Sequence, residues 1–237
     1  MRRVYTPAPL APGVAVVLDS AEAHHLRDVL RRKAGDAVEV FDANGRHFRA
    51  LITRADEGCV ELEPVQELGA AAEALAVELW MAVVKGPRFD WLVEKASELG
   101  AAKILPLLTE RTLAPPGAGR VERWRRLAVA AAKQCGRARP CEVVEAMDLR
   151  LACEGCRDPL RLYLDRAGAP LRRLLAGAVS ATLAVGPEGG FSPVEQTLLA
   201  SHGFVAASLA GATLRSETAA LAALVIAADC LPSTGRD

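Results

Sequence analysis

The sequence predicts an α/β protein in which a small β-rich domain precedes a parallel-sheet domain covered by helices on both faces. Three observations point there. Residues 1–68 are mostly short apolar or alternating runs separated by turn residues. From residue 75 onward, short apolar runs alternate with segments of helical periodicity. Between them, residues 66–74 (QELGAAAEA) carry little apolar pattern and read as a linker. The 237 residues suffice for one small and one medium domain, drawn here as 1–68 and 75–237.

In the first region Val14 to Leu18 is a short apolar run, and Ser20 is placed to cap a helix. Leu26, Val29 and Leu30 share one face of that helix, and Gly35 is its stop signal. Asp36 to Asp42 (DAVEVFD) alternates as a strand should. Ala43-Asn44-Gly45 supplies a hairpin turn, because Asn and Gly tolerate positive φ. His47 to Thr53 returns, Cys59 to Val65 (CVELEPV) alternates again, and the set predicts a small β-barrel.

In the second region Leu75 to Val84 (LAVELWMAVV) is a strand, and Pro87 opens a helix that runs to Gly100. Lys103 to Leu107 is a strand, followed by a helix over Val121 to Cys135 with Trp124 and Leu127 inward. Further strands are expected at Leu160–Leu164, Thr182–Val185 and Phe204–Leu209, and further helices at Pro193–His202 and Ser216–Cys230. Strands separated by helices imply a parallel sheet buried on both faces.

Composition narrows the function classes. Hydrophobic residues make up 51% and charged residues 24%, an ordinary globular balance. No window approaches the roughly 20 uninterrupted apolar residues of a membrane span. The N-terminus is basic, but Pro7, Pro9 and Pro12 break up the residues after it. A signal-peptide core is therefore missing, and a cytoplasmic protein with no membrane association is expected. The six cysteines are then expected to be reduced. Cys153-Glu154-Gly155-Cys156 has no second pair or histidines nearby, so a surface turn is expected and no metal site.

Net charge is zero, but the distribution is uneven. Glu110 to Pro140 contains eight basic residues (Arg111, Arg120, Arg123, Arg125, Arg126, Lys133, Arg137, Arg139) against two acidic ones. Residues 1–68 carry nine basic and eleven acidic side chains. An arginine-dominated stretch suits phosphate binding, although a solvated helix face accounts for the same pattern.

Two loops in the last third succeed strands and open helices. In Val185-Gly186-Pro187-Glu188-Gly189-Gly190-Phe191-Ser192-Pro193 the glycines permit tight turning and close approach to a ligand. The spacing matches neither phosphate-loop nor dinucleotide fingerprints. In Leu209 to Ala220 (LAGATLRSETAA), Ser216 can cap a helix and Glu217 complements its dipole. Arg215 is the outlier, since a cation sits poorly at a helix N-terminus unless something anionic or polar meets it.

These stretches resemble the RsmE family of SPOUT-class methyltransferases, which act on N3 of a uridine in 16S ribosomal RNA. The likeness runs through HHLRDVLRRKAGD (24–36), KGPRFDWLVEKASELGAAKILPLLTERT (85–112), RWRRLAVAAAKQCGR (123–137), VGPEGGFSPVE (185–195) and LRSETAALAAL (214–224). It implies a PUA-like β-barrel RNA-binding domain followed by a trefoil-knotted parallel-sheet domain. It also implies S-adenosyl-L-methionine as cofactor, bound among the loops at Leu164, at Val185, Gly186, Pro187, Glu188 and Gly190, and at Leu209, Leu214 and Thr218. Further implications are a homodimer, 16S ribosomal RNA or the small subunit as partner, and uridine 1498 in the usual numbering as target. This chain departs from the family pattern at Ala210 and Ala212, where glycine and arginine are usual.

Chemistry then assigns roles. Uracil N3 must lose its proton before it attacks a methyl group, and negative charge spreads onto O2 and O4. Arg215 is the candidate that stabilises that charge. Glu217, or a water, is the candidate proton acceptor, since arginine stays charged. Arg88, Arg111, Arg123, Arg126, Arg137 and Arg139 are the candidate RNA contacts, with Arg111 or Arg137 reaching the site from a partner subunit. The alternatives are an enzyme of the same class acting on another RNA, such as transfer RNA ribose, and a non-catalytic RNA-binding module.

Overall fold

The computed structural model describes residues 3–57, 59–69, 75–84, 86–112, 115–209 and 213–232. Lys85 and the substituted positions Ala210 and Ala212, with Gly211 between them, lie outside the described residues, as does most of the expected linker. The chain divides into two compact units: Met1–Glu73 with Ala132–Pro140, and Ala74–Ala131 with Cys141–Asp237.

The first unit holds β1 (Arg3–Thr6), β2 (Val16–Val17), α1 (Ser20–His24, continuing as a π-helical turn over His25–Val29), β3 (Ala37–Asp42), β4 (His47–Asp56) and β5 (Cys59–Glu67). The strands form one sheet in the order β1-β3-β4-β5-β2, with β1 parallel to β3 and the other pairs antiparallel. The alternation read from DAVEVFD and CVELEPV is real: Val38 and Val40, and Val60 and Leu62, bury on the same core as Phe48, Ala50 and Ile52. The hairpin between β3 and β4 is built by the buried Asp42. Its carboxylate accepts from the N–H groups of Asn44, Arg46 and Leu10, each at 2.9 Å, and Gly45 takes φ +84°.

Several expectations change here. Strand β1 is an addition to the expected set, and the apolar run at 14–18 contributes only two ladder residues. The helix is capped by Asp19, whose carboxylate accepts from Glu22 N–H at 2.8 Å, so Ser20 is its first residue. It ends at Val29, because Arg31 adopts φ +51° and turns the chain well before Gly35. Segment 132–140 belongs to this unit through Arg3, which donates to the carbonyls of Ala132 and Arg137 at 3.0 and 2.9 Å. Lys133 pairs with Glu22 at 2.6 Å.

The second unit contains β6 (Leu75–Ala82), α2 (Arg88–Leu99), β7 (Ala101–Leu108), α3 (Ala118–Cys135, whose last turn lies in the first unit), β8 (Glu142–Val143), β9 (Met147–Asp148), α4 (Leu149–Gly155), β10 (Arg161–Pro170), α5 (Leu171–Leu175), β11 (Ala181–Val185), α6 (Pro193–Ser201), β12 (Val205–Ser208) and α7 (Ser216–Cys230). The sheet runs β12-β10-β11-β6-β7-β8, with β9 also on β7, and every pair is parallel. Period-2 burial divides the sheet's faces. Val77, Leu79, Met81, Leu183 and Val185 pack on α2, α3, α5 and α7, whereas Trp80, Leu105, Leu107 and Ala184 pack on α4 and α6. Gly100 ends α2 at φ +93°, as its position after the periodic run predicts.

Three further corrections belong to this unit. The short elements β8, β9, α4 and α5 carry too few periodic residues to be read from sequence. The CxxC pair is not a surface turn: Cys153 and Cys156 are buried against the second face, and burial pushes the Cys153 thiol up to about 11. Ser216 is the first residue of α7 rather than its cap, a position held by Arg215 without a side-chain capping hydrogen bond.

Candidate cofactor and RNA site

Because the sheet is wholly parallel, the carboxyl ends of β6, β7, β10, β11 and β12 share one edge, where ligands bind in open α/β sheets. The loops leaving those ends contain nearly every candidate of the second unit. The loop after β11 turns back at once. A Cβ on Gly186 would stand 2.9 Å from the Phe191 nitrogen and 3.0 Å from the Gly190 carbonyl carbon. The Gly190 N–H donates to the Pro187 carbonyl at 2.8 Å, closing a turn that needs φ +69° at Gly190. A full capping box then starts α6: Ser192 N–H donates to Glu195 Oε2 at 2.8 Å, and Glu195 N–H donates to Ser192 Oγ at 3.3 Å.

Within β10, Leu164 and Ala169 both register against Ala207, so Asp165–Gly168 loop out between them. Gly168 crosses β12 closely; a Cβ there would stand 2.5 Å from the backbone of Ala206 and Ala207. Asp165 holds the excursion, accepting from Ala167 N–H at 2.8 Å and from the Gln196 amide at 3.2 Å.

At the head of α7 the residues separate by exposure. Leu214, Arg215 and Thr218 face solvent, whereas Ser216 and Glu217 are each 5% exposed. Ser216 Oγ donates to Glu217 Oε2 at 3.4 Å. The Arg215 guanidinium makes no hydrogen bond to the described residues. Arg88, at the start of α2, pairs with Glu188 of the glycine loop. The Arg88 guanidinium holds the Glu188 carboxyl below the usual carboxylate range, and Arg215 adds to that effect. Glu188 raises Arg88 in turn, with a smaller contribution from Glu217. Arg88, Glu188, Arg215 and Glu217 therefore share one electrostatic neighbourhood at the carboxyl edge.

With this geometry in view, the comparisons with known proteins converge. Residues 71–228 match the model of the RNA methyltransferase domain, and residues 18–65 that of the RNA methyltransferase PUA domain. The ribosomal RNA small subunit methyltransferase E of Synechocystis is 35% identical over 218 residues, covering 88% of this chain and 71% of the relative. The chain belongs to the RsmE family. The same family's protein from Aquifex aeolicus is 28% identical over 217 residues, covering 90% of this chain and 94% of its own. Among solved structures, a Legionella pneumophila methyltransferase with S-adenosylmethionine bound aligns at TM-score 0.86 and 31% identity, covering 95% and 96% of the two chains. The Neisseria gonorrhoeae ribosomal RNA small subunit methyltransferase E, also bound to S-adenosyl methionine, aligns at 0.85 and 28% over 95% of each chain. The fold is thus the SPOUT-type α/β domain preceded by a PUA-like domain, as the family resemblance implied.

The residues present fit the family's cofactor. Leu164 and Leu209 are half-buried on the core beneath the loops, Val185 and Gly186 are buried, and Pro187 and Gly190 are half-exposed beside them. A Cβ on Gly190 would meet nothing within 4 Å, so space remains open beside the turn. Apolar walls beside exposed loop backbone suit an adenosine moiety, which has two apolar faces and polar edges.

The arginines divide. Arg123 is bound to Asp90 at 2.8 Å, and the same carboxylate accepts from Trp124 Nε1 at 2.7 Å. Arg125 spans Glu122 and Glu145. Arg111 donates to the carbonyls of Gly189 and Gly190. Arg126 and Arg139 are exposed and have no partner among the described residues, whereas Arg137 and Arg139 both lie in the first unit. Sequence reasoning missed Glu195, Asp165 and Gly168. The SPVE run spells a capping box, so half of the Glu195 role was legible. Its other bond, to Glu110 N–H at 2.8 Å, joins residues 85 apart and left no local signal.

Proposed function

We propose that this chain methylates N3 of a uridine in 16S ribosomal RNA, uridine 1498 in the usual numbering, using S-adenosylmethionine held by the carboxyl-edge loops. Membership in the RsmE family supports the activity. The observation that carries the local assignment is the carboxyl edge shared by the Gly186–Gly190 turn and the head of α7, with Arg215 close enough to act on Glu188 and Glu217 on Arg88. S-adenosylmethionine supplies an electrophilic methyl group there.

The chain's own residues do the rest. Arg215, exposed and with a guanidinium free of hydrogen bonds to described residues, is available to the uracil oxygens as negative charge develops on them. Glu217 is the proton acceptor for N3–H: its carboxylate is buried and, among the described residues, accepts one long bond, from Ser216. The base nitrogen is left with the lone pair that would take the methyl group, as the S–CH3 bond of the donor breaks and its sulfonium leaves as the neutral thioether. Arg126 and Arg139 contact phosphates, because both residues are exposed and make no hydrogen bond or ion pair with the described residues, although the Arg139 side chain lies against Gly45. Arg88 and Arg111 act on the glycine loop that they already touch.

A homodimer completes the reading. Val225 on α7 is 53% exposed, beside the partly exposed Leu221 and Ala222, an apolar strip suited to a second copy. The compartment is the cytoplasm, where ribosomal RNA is found; no helix among the described residues is long and apolar enough to cross a membrane.

The test uses purified protein, radiolabelled S-adenosylmethionine, and either 16S RNA or small subunits from cells lacking the gene. Label recovered as N3-methyluridine at one site is the expected result. Label on ribose, or on transfer RNA, overturns the substrate assignment. RNA binding with no methyl transfer to any RNA reduces the protein to a binding module.

A further inference from the structure

Two loops from different strands are fastened together beside the proposed cofactor turn, and neither fastening is needed to form the strands themselves. Thr109–Thr112, leaving β7, is a closed turn: Thr112 N–H donates to the Thr109 carbonyl at 2.8 Å, and Thr109 N–H donates to Thr112 Oγ1 at 2.9 Å. This turn points two consecutive residues at the Gly186–Ser192 loop. Glu110 offers its N–H to Glu195 Oε1 at 2.8 Å, while Oε2 of the same carboxylate takes Ser192 N–H at 2.8 Å. Arg111 lays its guanidinium on the carbonyls of Gly189 and Gly190. A Cβ at 189 would meet Arg111 Nη1, so a side chain there would make the guanidinium shift off the loop. Gly189 does not have positive φ, so its backbone alone does not require a glycine.

We propose that Glu195 and Arg111 form a two-point latch that holds the Gly186–Ser192 loop in its cofactor-binding shape before the cofactor arrives. Both are positioning residues, and the inference rests on the placement of S-adenosylmethionine given above. Glu195 is 7% exposed and accepts two backbone N–H groups, one per oxygen, which an ionised carboxylate does and an amide cannot. Glu195→Gln keeps the shape but turns an NH2 group toward one of the two donors, releasing one side of the latch. Arg111 covers carbonyls that would otherwise need water, with one guanidinium nitrogen, Nη1, donating to both. A loop held in advance needs no ordering when ligand binds, so the latch acts on affinity rather than on the methyl-transfer step.

The experiment measures S-adenosylmethionine affinity by calorimetry, turnover at saturating cofactor and RNA, and thermal unfolding without cofactor. Variants are Glu195→Gln, Arg111→Ala, Gly189→Ala and the Arg111→Ala/Gly189→Ala pair. Glu195→Gln and Arg111→Ala are each expected to raise the cofactor dissociation constant about tenfold, the scale of one hydrogen bond to a charged group. Turnover of Glu195→Gln at saturation should stay within about twofold of the parent. Gly189→Ala should weaken binding alone but add nothing once Arg111 is gone, because the collision then has no partner. That non-additivity survives even if Glu195→Gln fails to fold. Parent-like cofactor affinity in the folded variants overturns the latch, as does additive loss in the double variant. Unfolding that falls while affinity of the folded fraction holds does so too, since a merely structural role gives that pattern. If the parent protein methylates RNA yet protection mapping puts the cofactor away from residues 185–192, the underlying placement has failed instead.

Discussion

Arg215 sits at the N-cap of α7, where the helix dipole disfavours a cation and where its side chain has no compensating hydrogen bond to the described residues. Glu188 feels its charge, and the proposed function assigns it a further role toward the bound uracil. Arg215→Ala is expected to leave RNA affinity within a few-fold and to cut single-turnover rate by roughly 10²–10³, the range for a lost transition-state donor. Near-parental rate at saturating cofactor and RNA would reduce Arg215 to a loop anchor. Gly168 poses the opposite case, a residue defined by what cannot be added. With backbone atoms 2.5 Å from any Cβ, Gly168→Ala must push β10 off β12, costing about 1–3 kcal/mol. Urea unfolding at pH 7 measures it, and an unchanged midpoint would show that the crossing is looser than it stands here.

Among the elements, the first sheet carries a built-in acid sensitivity where β1, β3 and β4 lie side by side. His47 on β4 is held below the usual imidazole range, first by burial and then by the Arg3 guanidinium, while Glu39 opposes both. Its Nε2 lies 3.4 Å from Glu39 Oε2, and Arg3 Nε lies 3.7 Å from the same oxygen. The folded-state pKa is depressed, so the unfolded chain takes the proton first. The associated stability is present above about pH 6.5 and is lost as pH falls through the folded value. Unfolding midpoints should therefore drop on acidification below about pH 6.5, and His47→Gln should flatten that drop. The parallel ladder of the second sheet has a different consequence. Because every strand runs the same way, loops separated by many residues reach one edge, and Glu195 can bond Glu110.

For the whole molecule, association and RNA affinity are the readouts. Each chain is 25.1 kDa, so sedimentation at micromolar concentration should give about 50 kDa if the α7 strip meets a second copy. Val225→Lys should return the monomer, and a parent that sediments as a monomer removes the dimer. RNA binding should lose about one unit of salt slope for each of Arg126→Ala and Arg139→Ala. Arg125→Ala should leave the slope alone, because Arg125 is occupied by Glu122, Glu145 and the Val143 carbonyl.

The sequence by itself determined the layering, most boundaries of the longer elements and the tight glycine turn after Val185, since these come from local rules. Near-continuous apolar runs such as LAVELWMAVV mark strands buried on both faces, Gly100 and Gly45 mark turns that need positive φ, and the glycine run after Val185 marks a tight loop. Family likeness in the same stretches supplied the cofactor and the reaction. Short elements such as β8 and α5 escaped because two to five residues show no period. Only the tertiary structure decided which polar groups are already engaged. The arginine-rich stretch reads as uniformly available in sequence, but Asp90, Glu145 and the Gly189 carbonyl reach Arg123, Arg125 and Arg111 from distant segments. The same holds for Cys153, placed by the sequence in a turn and by packing in the core. Pairing and burial depend on what the rest of the chain brings alongside a residue, and that information is not local.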